Sequence, residues 1–148
     1  MLRKILVPTD SSAHAQKAID FACDLALKYG AMLYVMHVVS ESDVPEWVQE
    51  YIKAEGIKEP PQSVYLEKIG QRIIELAEKQ IKEKGVEKFR SMVDLGNPAE
   101  KITEFARKND VDMIVMGSRG LSEVKGLLLG SVSHKVCNMA KCTCVTVK

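Results

Sequence analysis

The chain has 148 residues, 46% of them hydrophobic, and its 21 Lys and Arg against 20 Asp and Glu leave a formal charge of +1. So even a balance removes the general attraction that would point to nucleic acid or an anionic membrane surface, and any anion must be bound locally. The length predicts one domain, residues 1–148, able to bury about two-thirds of its unfolded surface without a disulfide or metal staple.

The start, MLRKILVPTD, carries an apolar run from Ile5 to Pro8 that is too short for a signal peptide. No apolar stretch reaches the roughly 18 residues of a membrane span, so the sequence reads as cytoplasmic. Cys23, Cys137, Cys142 and Cys144 fall inside predicted elements and are expected to be buried thiols. His134 with the last three cysteines lacks the paired spacing of structural zinc, so no metal site is expected from protein side chains.

In chain order, Lys4 to Pro8 is a first strand, followed by a helix capped by Asp10, Ser11 or Ser12. Its apolar positions from Ala15 to Tyr29 keep helical spacing until Gly30 closes it. His14 falls in its first turn. Ala31 to Val39, AMLYVMHVV, is a second buried strand that includes His37. A helix between two such strands makes a right-handed parallel crossover.

Residues 40–62 break the rhythm. Asp43 with Glu46 suggests a capping box, and Val44, Trp47, Val48, Tyr51 and Ile52 form one apolar stripe expected to pack back on its own domain, with a lid over a ligand or a contact with another subunit as the alternatives. Glu59-Pro60-Pro61 reads as a stiff connector. Ser63 is expected to cap a third helix with Ile69, Ile73, Leu76, Ala77 and Ile81 inward. Val86 to Val93 is an edge-type strand, and Asn97-Pro98-Ala99-Glu100 is a helix start with Ile102, Phe105 and Ala106 on the buried side. Val111 to Met116 is the fourth strand, a helix runs from Ser131 to Ala140, and Thr143 to Val147 is the last strand.

The segment joining the fourth strand to the last helix carries the most information. Gly117-Ser118-Arg119-Gly120, nine residues, then Gly130-Ser131 places glycines between a strand and a helix start. Glycines there let N–H groups approach an anion with no Cβ in the way. The first free N–H groups of the helix at Ser131, Val132 and Ser133 face the same anion, and the Ser131 and Ser133 hydroxyls add donors. Arg119 is the cation inside the loop and Lys125 a second candidate in the nine-residue insert; either suits a phosphate.

Alternation of strands and helices implies an α/β, doubly wound, open five-stranded parallel sheet with helices on both faces. Ligands of such sheets lie beyond the carboxyl ends of the strands where strand order reverses. That rule selects Pro8, Thr9 and Asp10 after the first strand, His37 and Val38 in the second, and Met116 and Gly117 after the fourth. A carboxylate repels phosphate, so Asp10 is expected to serve ribose hydroxyls or magnesium, and a nucleotide meets these demands together.

The pattern Gly117-x2-Gly120-x9-Gly130-Ser131, with Pro8-Thr9-Asp10 and His37-Val38, resembles the ATP-binding branch of the universal stress protein family along the whole chain. The resemblance implies sheet order 3-2-1-4-5. It also implies that Asp10 and the Val38 backbone hold adenine and ribose, while Gly117, Arg119, Gly120, Gly130, Ser131 and Ser133 hold the phosphates of ATP carrying magnesium. It implies a cytoplasmic stress-response homodimer joined through residues 143–147. Thr143 stands where the family often has proline, and 40–62 is a variable region.

Two kinds of function remain open. A nucleotide-binding regulatory module is favoured, because no Walker-type loop, no S-G-G-x-D-S loop and no H-x-G-H element occurs, and no general base is evident. No catalytic residue is assigned. A slow ATPase at the same crevice and a dimeric scaffold that binds no nucleotide are the alternatives.

Overall fold

The computed structural model describes residues 1–121 and 129–148. Lys125 lies outside them. Five parallel strands, β1 (Lys4–Pro8), β2 (Met32–Val39), β3 (Phe89–Leu95), β4 (Met113–Gly117) and β5 (Thr143–Val147), form one sheet in the order β3-β2-β1-β4-β5. The helices are α1 (Ala13–Tyr29), α2 (Glu46–Glu55), α3 (Pro61–Tyr65), α4 (Gln71–Glu83), α5 (Pro98–Lys108) and α6 (Ser131–Met139).

Alternate residues of each strand divide the core into two layers. Ile5, Val7, Leu33, Val35 and Val115 face one side, where α1 supplies Ala18, Ile19 and Ala22 and α4 supplies Ile74, Ala77 and Ile81. Leu6, Met36, Val38, Ile114 and Met116 face the other, against Ala99, Ile102 and Ala106 of α5 and Val136 of α6. With both faces covered, β1, β2 and β4 can be nearly continuous apolar runs.

Three strands begin later than the apolar runs suggest, for one reason. Ala31, Val86 and Val111 each close the preceding helix: their N–H groups donate to Ala26, Ile81 and Ala106 carbonyls at 3.0, 3.3 and 2.9 Å. The residues just before them, Gly30, Gly85 and Asp110, are left-handed, which gives the six-to-one bond of a Schellman ending. The apolar residue after each turn is therefore the hydrophobic partner of its helix end.

The 40–62 excursion is built differently from the sequence expectation. Asp43 forms its capping box with Ser40, accepting that residue's N–H at 2.9 Å around a 3-10 turn at Glu41–Asp43, and Pro45 precedes α2. Val48 is buried on the domain, whereas Trp47 stays 51% and Tyr51 38% exposed. The excursion packs against α3, where burial and then the Asp43 carboxylate push the Tyr65 hydroxyl above its ordinary pKa.

Pro60 and Pro61 are a helix start: Pro61 fills the first position, where no N–H is needed, so Ser63 is not the cap. From there the backbone stays helical to Glu83 through a π turn at Leu66–Gly70. Within α4 the buried face runs through Ile74, Ala77 and Ile81, three and four residues apart, so Leu76 falls outside it and is 46% exposed. Gly70 lets the π turn lie against β2 and β3, because a Cβ there would stand 3.1 Å from Val93 Cγ1 and 3.2 Å from Val39 Cγ2.

Candidate functional site

The two halves of the sheet diverge at β1 and β4, which are hydrogen-bonded neighbours. Beyond their carboxyl ends stand the β1–α1 turn and the glycine loop, brought into direct contact as the switch-point rule expects.

The first turn is tightly wired. Thr9 is buried; its N–H donates to the Met36 carbonyl at 2.8 Å, and its carbonyl accepts from His37 Nδ1 at 2.8 Å. Ser11 N–H donates to Thr9 Oγ1 and Ser12 N–H to Asp10 Oδ1, at 3.2 and 2.9 Å. Of the three candidate caps, Ser12 is the one used, accepting from Ala15 N–H at 3.2 Å. Ser11 sits at φ 65°, a left-handed conformation that costs a serine energy and that sequence reasoning did not foresee.

Asp10 spans the crevice. Its Oδ2 accepts from the N–H of Leu121 at 3.2 Å and lies only 2.6 Å from where a Cβ on Gly120 would be. The glycine therefore leaves room for the carboxylate beside it. Gly117 is required by α1: a Cβ there would stand 2.9 Å from Ala15 N and from His14 C and Cβ.

The far end of the loop returns to the near end. Gly130 N–H donates to the Ser118 carbonyl at 2.7 Å, and the position of a Gly130 Cβ is 3.4 Å from Arg119 Cα and 3.6 Å from Gly120 N. Gly130 is the N-cap of α6 and supplies no side chain to its first turn, which contains no acidic residue. Gly120 N thus lies beside the start of α6, the positive end of that helix's dipole. Ser131 and Val132 are exposed there, while Ser133 is buried and its hydroxyl donates to the Ser118 and Gly130 carbonyls at 3.1 and 3.3 Å.

β2 contributes through its main chain. Met32 N–H donates to Arg3 and the Met36 carbonyl accepts from Thr9, so even-numbered residues of this strand turn their peptide groups toward β1. Leu33 and Val39 turn theirs toward the β3 side, bonding Lys88 and Gly96. Val38 follows Met36 by two and points to the β1 side just past the last β1 residue, Pro8, which pairs with Met36. Its peptide group thus lies on the side of the β1 carboxyl end, while its side chain is buried.

Other expected residues fall elsewhere. His134 is exposed on α6 with Nε2 3.1 Å from Asn138 Nδ2. The four cysteines are free thiols; burial above all raises Cys23 and Cys144 to about 11. Among the described residues no three His, Cys, Asp or Glu gather as a metal ion would need. An open groove of about 500 Å³ lined by Arg107, Met139 and Cys142 lies at the amino ends of β4 and β5, away from the switch point. Among the described residues no helix is long and apolar enough to cross a membrane.

The fold and the converging turns define a doubly wound α/β protein with a glycine loop at the reversal of its sheet. A sequence model of the universal stress protein family matches residues 1–148, and the chain belongs to that family. It is 36% identical to universal stress protein YxiE of Bacillus subtilis, with all of both chains covered. Among solved structures it resembles MJ0577 of Methanocaldococcus jannaschii, at 28% identity and a TM-score of 0.79, over 100% of this chain and 96% of that one. A universal stress protein solved in complex with cAMP shares the fold at 23% identity and a TM-score of 0.69, over 99% and 96% of the two chains.

Proposed function

We propose that this protein is an ATP-binding member of its family, a cytoplasmic stress-response module whose output is occupancy rather than turnover. The observation that carries the reading is the closure of Asp10 on Gly120 and Leu121 beside the open first turn of α6. A carboxylate and a set of anion donors meet within one crevice, and a nucleotide has both a hydroxyl-bearing and a phosphate end to offer them.

In this reading the Val38 peptide meets the adenine edge and Asp10 the ribose. Pro8, Thr9 and Met116 line the floor, and Gly117, Ser118, Arg119, Gly120, Gly130, Ser131, Val132 and Ser133 surround the phosphates. The Asp10 oxygens already accept two amides, so the protein offers a cation little of its own, and magnesium would be held through the phosphates. The cAMP held by the solved relative is also an adenine nucleotide. β5 bonds β4 at one edge, and its other edge is where a second copy would add to the sheet as a homodimer.

Mass spectrometry of ligand released from freshly purified protein, with uptake of magnesium ATP by Gly120→Val and Gly130→Val, tests the reading. Adenine nucleotide from the native protein and loss of uptake in both folded variants are expected. A native protein that takes up no nucleotide, or variants that bind as well as it does, would overturn it.

A further inference from the structure

Ser118 is the residue on which the glycine loop is hung. It is 1% exposed, its N–H donates to the Val147 carbonyl at 2.8 Å, and its own carbonyl accepts Gly130 N–H and the Ser133 hydroxyl. One residue thereby ties β5, the end of the loop and the first turn of α6. Its hydroxyl oxygen lies 3.1 Å from Nδ1 of His14, on α1. Gly117, the preceding residue, rests against the backbone and Cβ of the same histidine. Two consecutive loop residues are therefore seated on His14, from 104 positions away in sequence.

A hydroxyl this deeply buried keeps its rotamer only while its partner is present, since an unsatisfied buried polar group costs free energy that the local structure will move to recover. Among the described residues the side chain has no other partner within reach, so the adjustment falls on the Ser118 backbone, whose carbonyl anchors Gly130 and Ser133. The adenine side is wired separately, through His37, Thr9 and Met36.

We propose that His14 is a positioning residue for the phosphate end of the site. Through Ser118 it fixes the loop amides relative to the start of α6, so it governs the preference for a triphosphate over the bare nucleoside. The inference rests on the nucleotide reading above and adds to it a residue that touches no ligand.

Calorimetric titrations of the native protein, His14→Ala, His14→Asn, Ser118→Ala and the double alanine variant with magnesium ATP and with adenosine test this. Exchange of the Gly130 amide is followed in the same proteins without ligand. Loss of one hydrogen bond predicts about two- to tenfold weaker binding of magnesium ATP by His14→Ala. Adenosine affinity should barely change. Asparagine carries a polar atom at the position of Nδ1 and should restore most of the loss, and the double variant should be no worse than Ser118→Ala alone. Gly130 should exchange faster in His14→Ala.

Equal losses for both ligands, failure of the asparagine to rescue, additive effects or an unchanged Gly130 amide would each overturn the role of His14. A native protein that binds while the variants match it defeats this inference alone. One that binds neither ligand defeats the nucleotide reading and this inference with it.

Discussion

Gly120→Ala provides a sign test of the contact between the first turn and the loop. Gly120 has no left-handed φ, so alanine fits its backbone, and among the described residues the atoms a Cβ would meet within 4 Å are Asp10 Oδ2 at 2.6 Å and Cγ at 3.9 Å. An ordinary contact is near 3.5 Å, so the carboxylate must retreat by nearly an ångström and give up Leu121 N–H. A hydrogen bond to a charged acceptor is worth about 1.5–3 kcal/mol, and partial exposure of this one argues for about 1–2 kcal/mol. Against that, replacing glycine by alanine where the backbone permits gains about 0.4–1 kcal/mol from the unfolded chain. Gly120→Ala should therefore cost about 0.8 kcal/mol in the native background, the difference of the mid-range values of those two terms. With Asp10→Ala already present the obstruction is gone, and the same change should stabilise by about 0.4–1 kcal/mol. Urea unfolding of the four proteins of this cycle, without ligand, measures the coupling. The same sign in both backgrounds would refute the contact as the reason for the glycine.

Gly117→Ala meets main chain of α1 rather than a movable side chain. It should lower stability by about 1–3 kcal/mol in urea unfolding, the usual cost of overpacking, and a loss below about 0.5 kcal/mol would contradict the close approach. Asp112 accepts Arg3 and Lys4 N–H at 2.8 and 2.9 Å, and these bonds, Arg3 foremost, hold its carboxyl below the ordinary 3.8. A lowered folded pKa means stability that is present above 3.8 and lost as pH falls through the folded value. Asp112→Ala should then cost about 1 kcal/mol at neutral pH and progressively less below that range, as followed by denaturant midpoints from neutral pH into the acid range. A deficit independent of pH would show that the charge is not what matters.

β1 and β5 were legible to the residue, because each is a short apolar run bounded by unambiguous breaks. The late starts of β2, β3 and β4 were not, since an apolar residue after a left-handed turn looks the same whether it opens a strand or closes a helix. The π turn left no local mark, and Ile74 rather than Leu76 shares the inward face of Ala77 and Ile81. The strand order came from family resemblance and not from periodicity. At the site, glycine spacing announced the loop, and the apolar run before it announced the strand. What spacing could not convey is why each glycine is there: Gly117 answers to α1 and Gly120 to Asp10, across about a hundred residues of chain. His14 and His37 were placed on their elements, but their bonds to Ser118 and Thr9 are long-range pairings with no local sequence signal.

The carboxylate of Asp10 works as a clasp between two stretches of chain far apart in sequence, one oxygen holding the Ser12 amide of its own turn and the other the Leu121 amide. A change at this one side chain is therefore felt on both walls at once, and neither turn can be reshaped without the other.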